Sequence, residues 1–233
     1  MIMIERHFGP IIPAPAGPPL PDMRVPDVFG QWKREVVADT AMLPRLFLAF
    51  RSPVFGTDAY YAASVAGAIL GSRKGSRLYR RLVRERQVAS EASAFTFDLS
   101  KGSDLLVADV TARQGIPAEL LEQEVAREID AIHRDGVDDA EVERAIAVIE
   151  SDIVRSMQSA GDRADRLSMF ATYFRNPQLV NEQIDRYRAV NTAAVNTFVR
   201  ERLGENNRAS LLYVPQENAP GELAGAAASA GAV

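Results

Sequence analysis

The sequence predicts an α+β fold in which helices pack on one face of a mainly antiparallel sheet. Strands are predicted in consecutive pairs, with helices in runs between and after them, whereas a doubly wound fold alternates strand and helix. The 233-residue chain is 47% hydrophobic and 25% charged, an ordinary composition for a soluble protein with one sizeable core. A single domain with irregular ends is therefore expected.

The first predicted elements are two strands followed by two helices. Residues 32–38 and 45–50 carry strand-like apolar patterns, and the second is continuous enough for a central strand. Residues 58–70 are Ala-rich and apolar on most faces, which predicts a buried helix. Residues 76–86 predict a second helix, with its leucines inward and its arginines outward.

The remaining elements begin with a hairpin. Residues 92–99 and 105–112 predict its two strands, joined across residues 101–103. Helical spacing of apolar residues and a final apolar run then predict four helices and one strand: 117–136, 138–157, 179–190, 192–203 and 208–215. Asp138, with Glu141 three residues later, predicts a capping box at the start of the long helix.

The two ends of the chain differ from its middle. Seven of the 13 prolines lie in residues 10–30, which predicts an extended linker there. Residues 1–9 are expected to be the end of a preceding domain, because they are similar to a last helical turn with a glycine stop. Residues 31–216 form the predicted domain, and the Ala/Gly-rich residues 217–233 predict a flexible tail.

Charge and composition exclude several classes of function. The net charge of −4 gives no electrostatic footprint for nucleic acid, and the absence of cysteine excludes disulfides, thiolate metal sites and a cysteine nucleophile. No signal peptide is predicted, because the N-terminus lacks a basic region followed by a long apolar run. No stretch is long and apolar enough to predict a membrane span. A soluble chain is expected, and periplasm and cytoplasm both remain open.

The segment with the most chemical content is Gly71–Arg86, a glycine-bounded basic loop that runs into an arginine-rich helix. It lacks the P-loop pattern G-x-x-x-x-G-K-[ST], and a helix precedes it. Two interpretations remain: a turn in which glycine supplies an unusual dihedral and the basic residues are solvated or ion-paired, or a positive wall for peptide carbonyls or acidic groups. Three- and four-residue spacing predicts that Arg77, Arg81 and Arg84 share one side of the helix.

Metal chemistry has little support in the residues. No H-x-x-E-H occurs, and the two histidines, His7 and His133, are far apart in the sequence. The residues that follow His133 lack the glutamate and second histidine of a zincin helix. The serine-hydrolase motif G-x-S-x-G is also absent. The chain is therefore expected to bind no metal and to hold no catalytic centre of its own.

The basic segment and its surroundings resemble the non-catalytic, C-terminal half of the pitrilysin-like (M16) zinc peptidases, which include the mitochondrial processing peptidases. Residues 71–86 are similar to the family segment L-G-x…G-S-R-L-Y-x-x-L-R-E, with Val83 as one additional residue before Arg84. Residues 4–13 are similar to the end of the zinc-bearing half and the linker after it. The resemblance covers roughly residues 4–216. It implies the α/β-roll of the LuxS/MPP-like metallohydrolases.

The resemblance also implies a function. The chain would form a substrate-chamber wall and scaffold, while H-x-x-E-H and zinc would lie on a partner half or subunit. Its expected partners are such a half or a second copy of the chain, together with an unfolded peptide substrate. By itself the chain would be no enzyme. The alternative is a stand-alone interaction domain that keeps the fold and has no link to proteolysis.

The resemblance further implies site residues. The loop that captures substrate in the processing peptidases corresponds to a shorter, glycine-poorer segment here: Ser72, Arg73, Lys74, Gly75 and Arg77. Arg84 corresponds to an arginine that, with a tyrosine six or seven residues later, polarises the scissile carbonyl at the partner's zinc site. Ser90 and Glu91 occupy the tyrosine positions. This departure favours a scaffold and cavity-wall role over a catalytic contribution.

Overall fold

The computed structural model describes residues 2–12, 21–40 and 42–216. The strands in these residues are β1 (Lys33–Asp39), β2 (Arg45–Ser52), β3 (Ala89–Thr96), β4 (Asp104–Ala112) and β5 (Arg208–Pro215). The α-helices are α1 (Ile2–Phe8), α2 (Asp58–Gly71), α3 (Ala118–Asp135), α4 (Asp139–Ser156), α5 (Ala160–Phe174), α6 (Gln183–Arg188) and α7 (Thr192–Arg202). A π-helix covers Tyr79–Glu85, and 3-10 turns cover Pro177–Glu182 and Glu205–Asn207. The predicted tail, and part of the predicted linker, lie outside the described residues.

The five strands form one sheet in the order β1-β5-β2-β4-β3. The pair β1–β5 is parallel, and the pairs β2–β5, β2–β4 and β3–β4 are antiparallel. The prediction of an α+β fold with a mainly antiparallel sheet is confirmed. The last strand, β5, lies between the first two strands of the chain.

Helices pack on one face of this sheet, which we call the inner face. In β2, Leu46, Leu48 and Phe50 are buried on this face, whereas Phe47 and Ala49 on the other face are only half-buried. Buried and half-buried residues alternate in the same way along β5. The opposite side of the sheet is called the open face below.

Helix α2 lies at the centre of the packing. It contacts β3 and β4 on one side and α4, α6 and α7 on the other, which explains why its sequence is apolar around most of its circumference. Thr57 caps its first turn by accepting a hydrogen bond from the Tyr60 N–H at 3.3 Å. At its other end, Gly71 approaches the backbone of β3 so closely that a Cβ would lie 1.8 Å from the Ala94 nitrogen.

Two of the elements that differ from their predicted bounds have a clear local cause or a changed helix type. The strand predicted over residues 92–99 is shifted, and β3 ends at Thr96. It ends there because the Asp104 carboxylate accepts a hydrogen bond from the Phe97 N–H at 3.2 Å and Asp98 takes a left-handed φ of 60°. The helix predicted over residues 179–190 is divided into a 3-10 turn and the short α6.

A further helix is absent from the sequence-based prediction. Residues 160–174 form α5, which starts where the Ser159 side chain accepts a hydrogen bond from the Asp162 N–H. Only Phe170 of this helix is fully buried, so its apolar pattern is too sparse to reveal it. No helix in the described part of the chain combines the length and the apolar character needed to cross a membrane.

Asp104 is a buried carboxylate where β4 begins. Its Oδ1 accepts hydrogen bonds from the backbone N–H groups of Phe97 and Leu105, at 3.2 and 2.7 Å. Its Oδ2 has no hydrogen-bond partner among the described residues, and neither has the hydroxyl of Ser52, its partner in the register with β2. Burial therefore raises the pKa of the Asp104 carboxyl to about 6.

The close approach of α2 to β3 predicts that Gly71→Ala lowers the free energy of unfolding by about 3 kcal/mol or more, because the new methyl group meets backbone that cannot yield. Gly67→Ala is the matched control on the same helix. Its Cβ would lie 3.6 Å from the nearest Leu106 side-chain atom, so the higher helix propensity of alanine should raise stability by up to about 1 kcal/mol. Urea denaturation of both variants tests this. Equal stabilities would contradict the close approach.

The raised pKa of Asp104 predicts that Asp104→Asn increases the free energy of unfolding at pH 8 by about 1–2 kcal/mol and changes it little at pH 4. The folded-state pKa of this carboxyl lies above the unfolded value, so the folded state binds the proton more tightly than the unfolded state. Through this carboxyl, the free energy of unfolding of the wild-type protein therefore falls as pH rises from about 4 to 6. Asparagine keeps an oxygen for the two backbone bonds and carries no charge.

Urea denaturation of both proteins between pH 4 and pH 8 measures this effect. The difference between the two stability curves isolates Asp104, because the other carboxyl groups titrate in both proteins. A difference that stays constant across this range would show that Asp104 does not titrate there.

Candidate functional site

The loop Ser72–Gly75 joins the end of α2 to the basic helical segment. The Ser72 N–H donates to the Ala68 carbonyl at 2.9 Å, and the Ser76 N–H donates to the Arg73 carbonyl at 3.2 Å. The residue with the left-handed backbone is Arg73, with φ of 64°. The expectation that a glycine supplies the unusual dihedral is wrong, since Gly71 ends the helix and Gly75 has no positive φ. Glycine is needed at position 71 for the close approach to β3 instead.

Arg77 forms a bidentate ion pair with Glu141 on the inner side of the segment. Its guanidinium donates to both carboxylate oxygens of Glu141, at 2.7 and 2.6 Å, and to the Gly136 carbonyl at 2.9 Å. Burial alone would raise the pKa of Glu141, but the hydrogen bonds from Arg77 outweigh it and hold this pKa below its usual value. Glu141 also belongs to the capping box with Asp138. Arg77 therefore fastens the basic segment to the start of α4.

The remaining loop residues are more accessible. Arg73 pairs with Asp152 of α4, but both side chains are about half exposed, so solvent weakens the pair. Lys74 and Gly75 are exposed. Ser72 lines a cleft on the α4 side of α2. The structure thus leaves Arg73, Lys74 and Gly75 at the surface and places Arg77 in an internal contact.

The helix that carries Arg84 is a π-helix, in which backbone N–H groups bond to carbonyls five residues earlier. The Arg86 N–H donates to the Arg81 carbonyl at 2.8 Å. Such turns are rare and frequently occur at functional sites. The geometry alters the expected arrangement, because Arg77 faces Glu141 while the Arg81 guanidinium donates to Glu85 at 3.1 Å. The segment is therefore not a regular α-helix, and the shared side of Arg77, Arg81 and Arg84 stays a prediction.

Arg84 instead pairs with an aromatic ring. Its guanidinium carbon lies 5.7 Å from the centroid of the Tyr79 ring, five residues earlier, in the range of a cation–π contact. Its side chain is exposed. Within the described residues it makes neither an ion pair nor a hydrogen bond. Tyr79 was not singled out by sequence pattern, because an i, i+5 contact has no counterpart in an α-helix.

Tyr79 also borders a small cleft on the open face of the sheet. The cleft has a volume of about 260 Å³ and is lined by Tyr79, Glu91, Ala92, Ser93, Asp109 and Thr111. Asp109 is engaged by Arg45, whose Nε donates to it at 2.8 Å. Glu91 is exposed. The border of the open face therefore carries the guanidinium groups of Arg84 and Arg45, the ring of Tyr79 and the exposed carboxylate of Glu91.

Ser90 does not project toward Arg84 as a tyrosine would. The register between β3 and β4 shifts between Ala89 and Glu91, so Ser90 is the extra residue of a bulge. Its hydroxyl lies within hydrogen-bond distance of the Thr111 and Ala112 carbonyls, at 3.3 and 3.2 Å. The hydroxyl is thus directed to the backbone of β4.

The described residues contain no group of three or more histidine, cysteine, aspartate or glutamate side chains placed to hold a metal ion. The Nδ1 atom of His133 lies 3.0 Å from the Val199 carbonyl, to which it donates. His7 is exposed on α1. The described residues therefore do not fit a zinc centre.

Comparison with solved structures identifies the fold. A crystal structure of a protease from Helicobacter pylori superposes with a TM-score of 0.80 at 18% identity, over 92% of this chain and 52% of that one. The inactive peptidase domain of a zinc protease from Bordetella parapertussis superposes with a TM-score of 0.66 at 20% identity, over 77% of this chain and 96% of that one. At such identities the similarity establishes the fold alone.

Sequence comparison extends this result. The zinc protease PqqE of Helicobacter pylori is 24% identical over 155 residues, which are 66% of this chain and 34% of that protein. The chain therefore spans about a third of the length of this curated relative. The profile of the peptidase M16 inactive domain matches residues 2–149. Since this match covers well over half of the chain, the chain belongs to the peptidase M16 inactive domain family.

Proposed function

We propose that this chain is the non-catalytic half of a two-part zinc peptidase and forms one wall of a chamber that holds an unfolded peptide. Membership of an inactive-domain family, with zinc proteases among its longer relatives, supports this assignment. The metal and the H-x-x-E-H motif would lie on a partner half or subunit. The water that attacks the peptide bond would be activated there.

The observation that carries this proposal is the open face of the sheet. Phe47, Leu211 and Tyr213 are only half-buried on it, and the rings of Phe47 and Tyr213 meet edge to face with centroids 6.0 Å apart. Phe95, on β3, is 40% exposed. A face of this kind, apolar and crossed by ion pairs such as Arg45–Asp109, is typical of a surface that another molecule covers. The partner half and the peptide are the proposed occupants.

The position of Arg84 supports the same arrangement. The π-helix that carries it packs beside β3, and the cleft next to Tyr79 is formed by open-face residues such as Ser93 and Thr111. Arg84 therefore borders the face that the catalytic half would cover. A guanidinium there would stabilise negative charge on a scissile carbonyl oxygen as the water attacks.

The alternative is an interaction domain with no link to proteolysis. The replacement of the expected tyrosine by Ser90 and Glu91 favours it, since the Ser90 hydroxyl is directed to the backbone of β4. The first experiment below distinguishes the two proposals, because only the non-catalytic half of a peptidase should produce cleavage together with a partner that carries H-x-x-E-H.

The absence of an H-x-x-E-H motif predicts that the purified chain contains no stoichiometric zinc and cleaves no unstructured peptide. Addition of a family partner that carries H-x-x-E-H should produce cleavage that a chelator stops. Elemental analysis and a quenched-fluorescence peptide assay measure both properties, with the partner alone as control. About one tightly held zinc per chain, or chelator-sensitive cleavage by the chain alone, would overturn the assignment to the non-catalytic half.

The position of Arg84 predicts that Arg84→Ala lowers kcat of the assembled peptidase by about tenfold or more, because loss of one donor to a developing oxyanion commonly has an effect of this size or larger. Affinity for the partner half should stay within about twofold, as for other exposed substitutions. Arg80→Ala is the matched control, since Arg80 is exposed on the same helix and lies 3.9 Å from Glu85.

The effect on kcat is measured as peptide turnover by the assembled peptidase. The effect on affinity for the partner half is measured separately by surface plasmon resonance. Equal turnover by the Arg84→Ala and Arg80→Ala proteins would remove Arg84 from catalysis and leave a passive scaffold. Loss of partner binding in step with turnover would assign Arg84 to the interface.

A further inference from the structure

A second cleft lies on the inner side of the domain, away from Arg84. It has a volume of about 380 Å³ and opens between the edge strand β3, helix α2 and the helices α4 and α5. Apolar side chains of Phe55, Ala68, Ile149 and Ile153 line it. Its size lies at the lower end of the range for ligand-binding clefts, and its mixed lining is typical of them.

The strand beside this cleft, β3, is an edge strand of the sheet. β3 is at the end of the strand order and pairs with β4 alone among the described strands. An edge strand presents backbone N–H and C=O groups to a new strand, and peptides bind to several protein families in this way. Ala94, Phe95 and Thr96 of β3 line the cleft directly.

The charges in the cleft are unequally compensated. The Asp98 carboxylate accepts a hydrogen bond from the Tyr60 hydroxyl and forms no ion pair with a described residue. Asp152 pairs with Arg73, and its Oδ1 lies 3.6 Å from the Nη1 of Arg155. Arg166 of α5 is half-buried in the wall, and within the described residues it makes neither an ion pair nor a hydrogen bond. A partly desolvated guanidinium without a counterion binds anions strongly, and its planar donors match a carboxylate.

We propose that this cleft binds an extended peptide through a carboxylate that pairs with Arg166. Neighbouring side chains of the peptide contact the apolar wall, and its backbone lies along β3. The carboxylate comes either from the C-terminus of the peptide or from an aspartate or glutamate side chain. The inference rests on the proposed function in taking an unfolded peptide as the ligand. It requires neither zinc nor the catalytic half.

The test is peptide binding to the complete chain alone, measured by fluorescence anisotropy. The probe is an N-terminally labelled, unstructured peptide without acidic side chains, which ends in a free carboxylate. A second probe has an amidated C-terminus, and a third is amidated and carries one internal aspartate. At least one carboxylate-bearing probe should bind about tenfold or more tightly than the amidated peptide, since a charge-assisted pair contributes at least that much. The probe that binds identifies the source of the carboxylate.

Arg166→Gln should remove this preference, whereas Arg166→Lys should keep part of it. Arg200→Gln is the matched control for loss of one positive charge. Arg200 is exposed on α7 and makes no ion pair with a described residue. Circular dichroism confirms that each variant is folded. Rising salt should weaken the carboxylate-dependent part of binding.

Equal affinity of the three peptides, or equal binding by the Arg166→Gln and Arg200→Gln proteins, would overturn this inference. Either result would leave the proposed function intact, because pairing with a catalytic half is measured separately. Conversely, a chain that prefers the carboxylate but supports no cleavage with any family partner would retain this site and lose the proposed function.

Discussion

The close approach of α2 to the edge half of the sheet is the constraint on which the rest of the structure depends. Gly71 allows the helix to end against the backbone of β3, so the chain after it leaves at a fixed point beside the edge strand. The basic loop therefore starts on the inner side of the sheet, and the π-helix that follows lies beside β3. Both clefts described above border β3. A helix held further from the sheet would move both of them.

The arginines around β3 fall into two groups: those held in ion pairs within the domain, and those whose guanidinium groups are available to a ligand. Arg77 is held by Glu141, and Arg86 donates to the buried Glu124 at 3.0 and 2.8 Å. These pairs fix the basic segment against α3 and α4. Loss of Arg77 would leave the half-buried Glu141 without an ion pair to a described residue, whereas Glu124 also pairs with Arg127. Arg84 and Arg166 differ, because neither has a carboxylate partner among the described residues. Arg166 lines one cleft, and Arg84 lies over the ring of Tyr79, which lines the other. The guanidinium groups of Arg84 and Arg166 are thus both available to bind a ligand, at two separate places.

Local sequence patterns predicted most helices and strands, but they did not predict contacts between residues that are distant in the sequence. The apolar runs and the capping box of α4 were sufficient for four strands, the long helices and the fold class, and Arg84 was identified by resemblance. The contact of Arg84 with Tyr79 depends on a π-helix, which no propensity marks. The pair Arg77–Glu141 joins residues 64 positions apart. Helix α5 buries one residue fully, so its sequence resembles that of a polar loop.

The insertion of β5 between β1 and β2 has a consequence for the order in which the domain assembles. β1 and β2 are adjacent in the chain, yet they are not neighbours in the sheet, and β1 has β5 as its partner. A nascent chain that ends before residue 208 can pair β2, β4 and β3, but it has no strand to hold β1. Any hairpin that β1 and β2 formed early would have to open again to admit β5. The half of the sheet next to both clefts can therefore form before β5 is available, whereas β1 takes its place in the sheet only with β5.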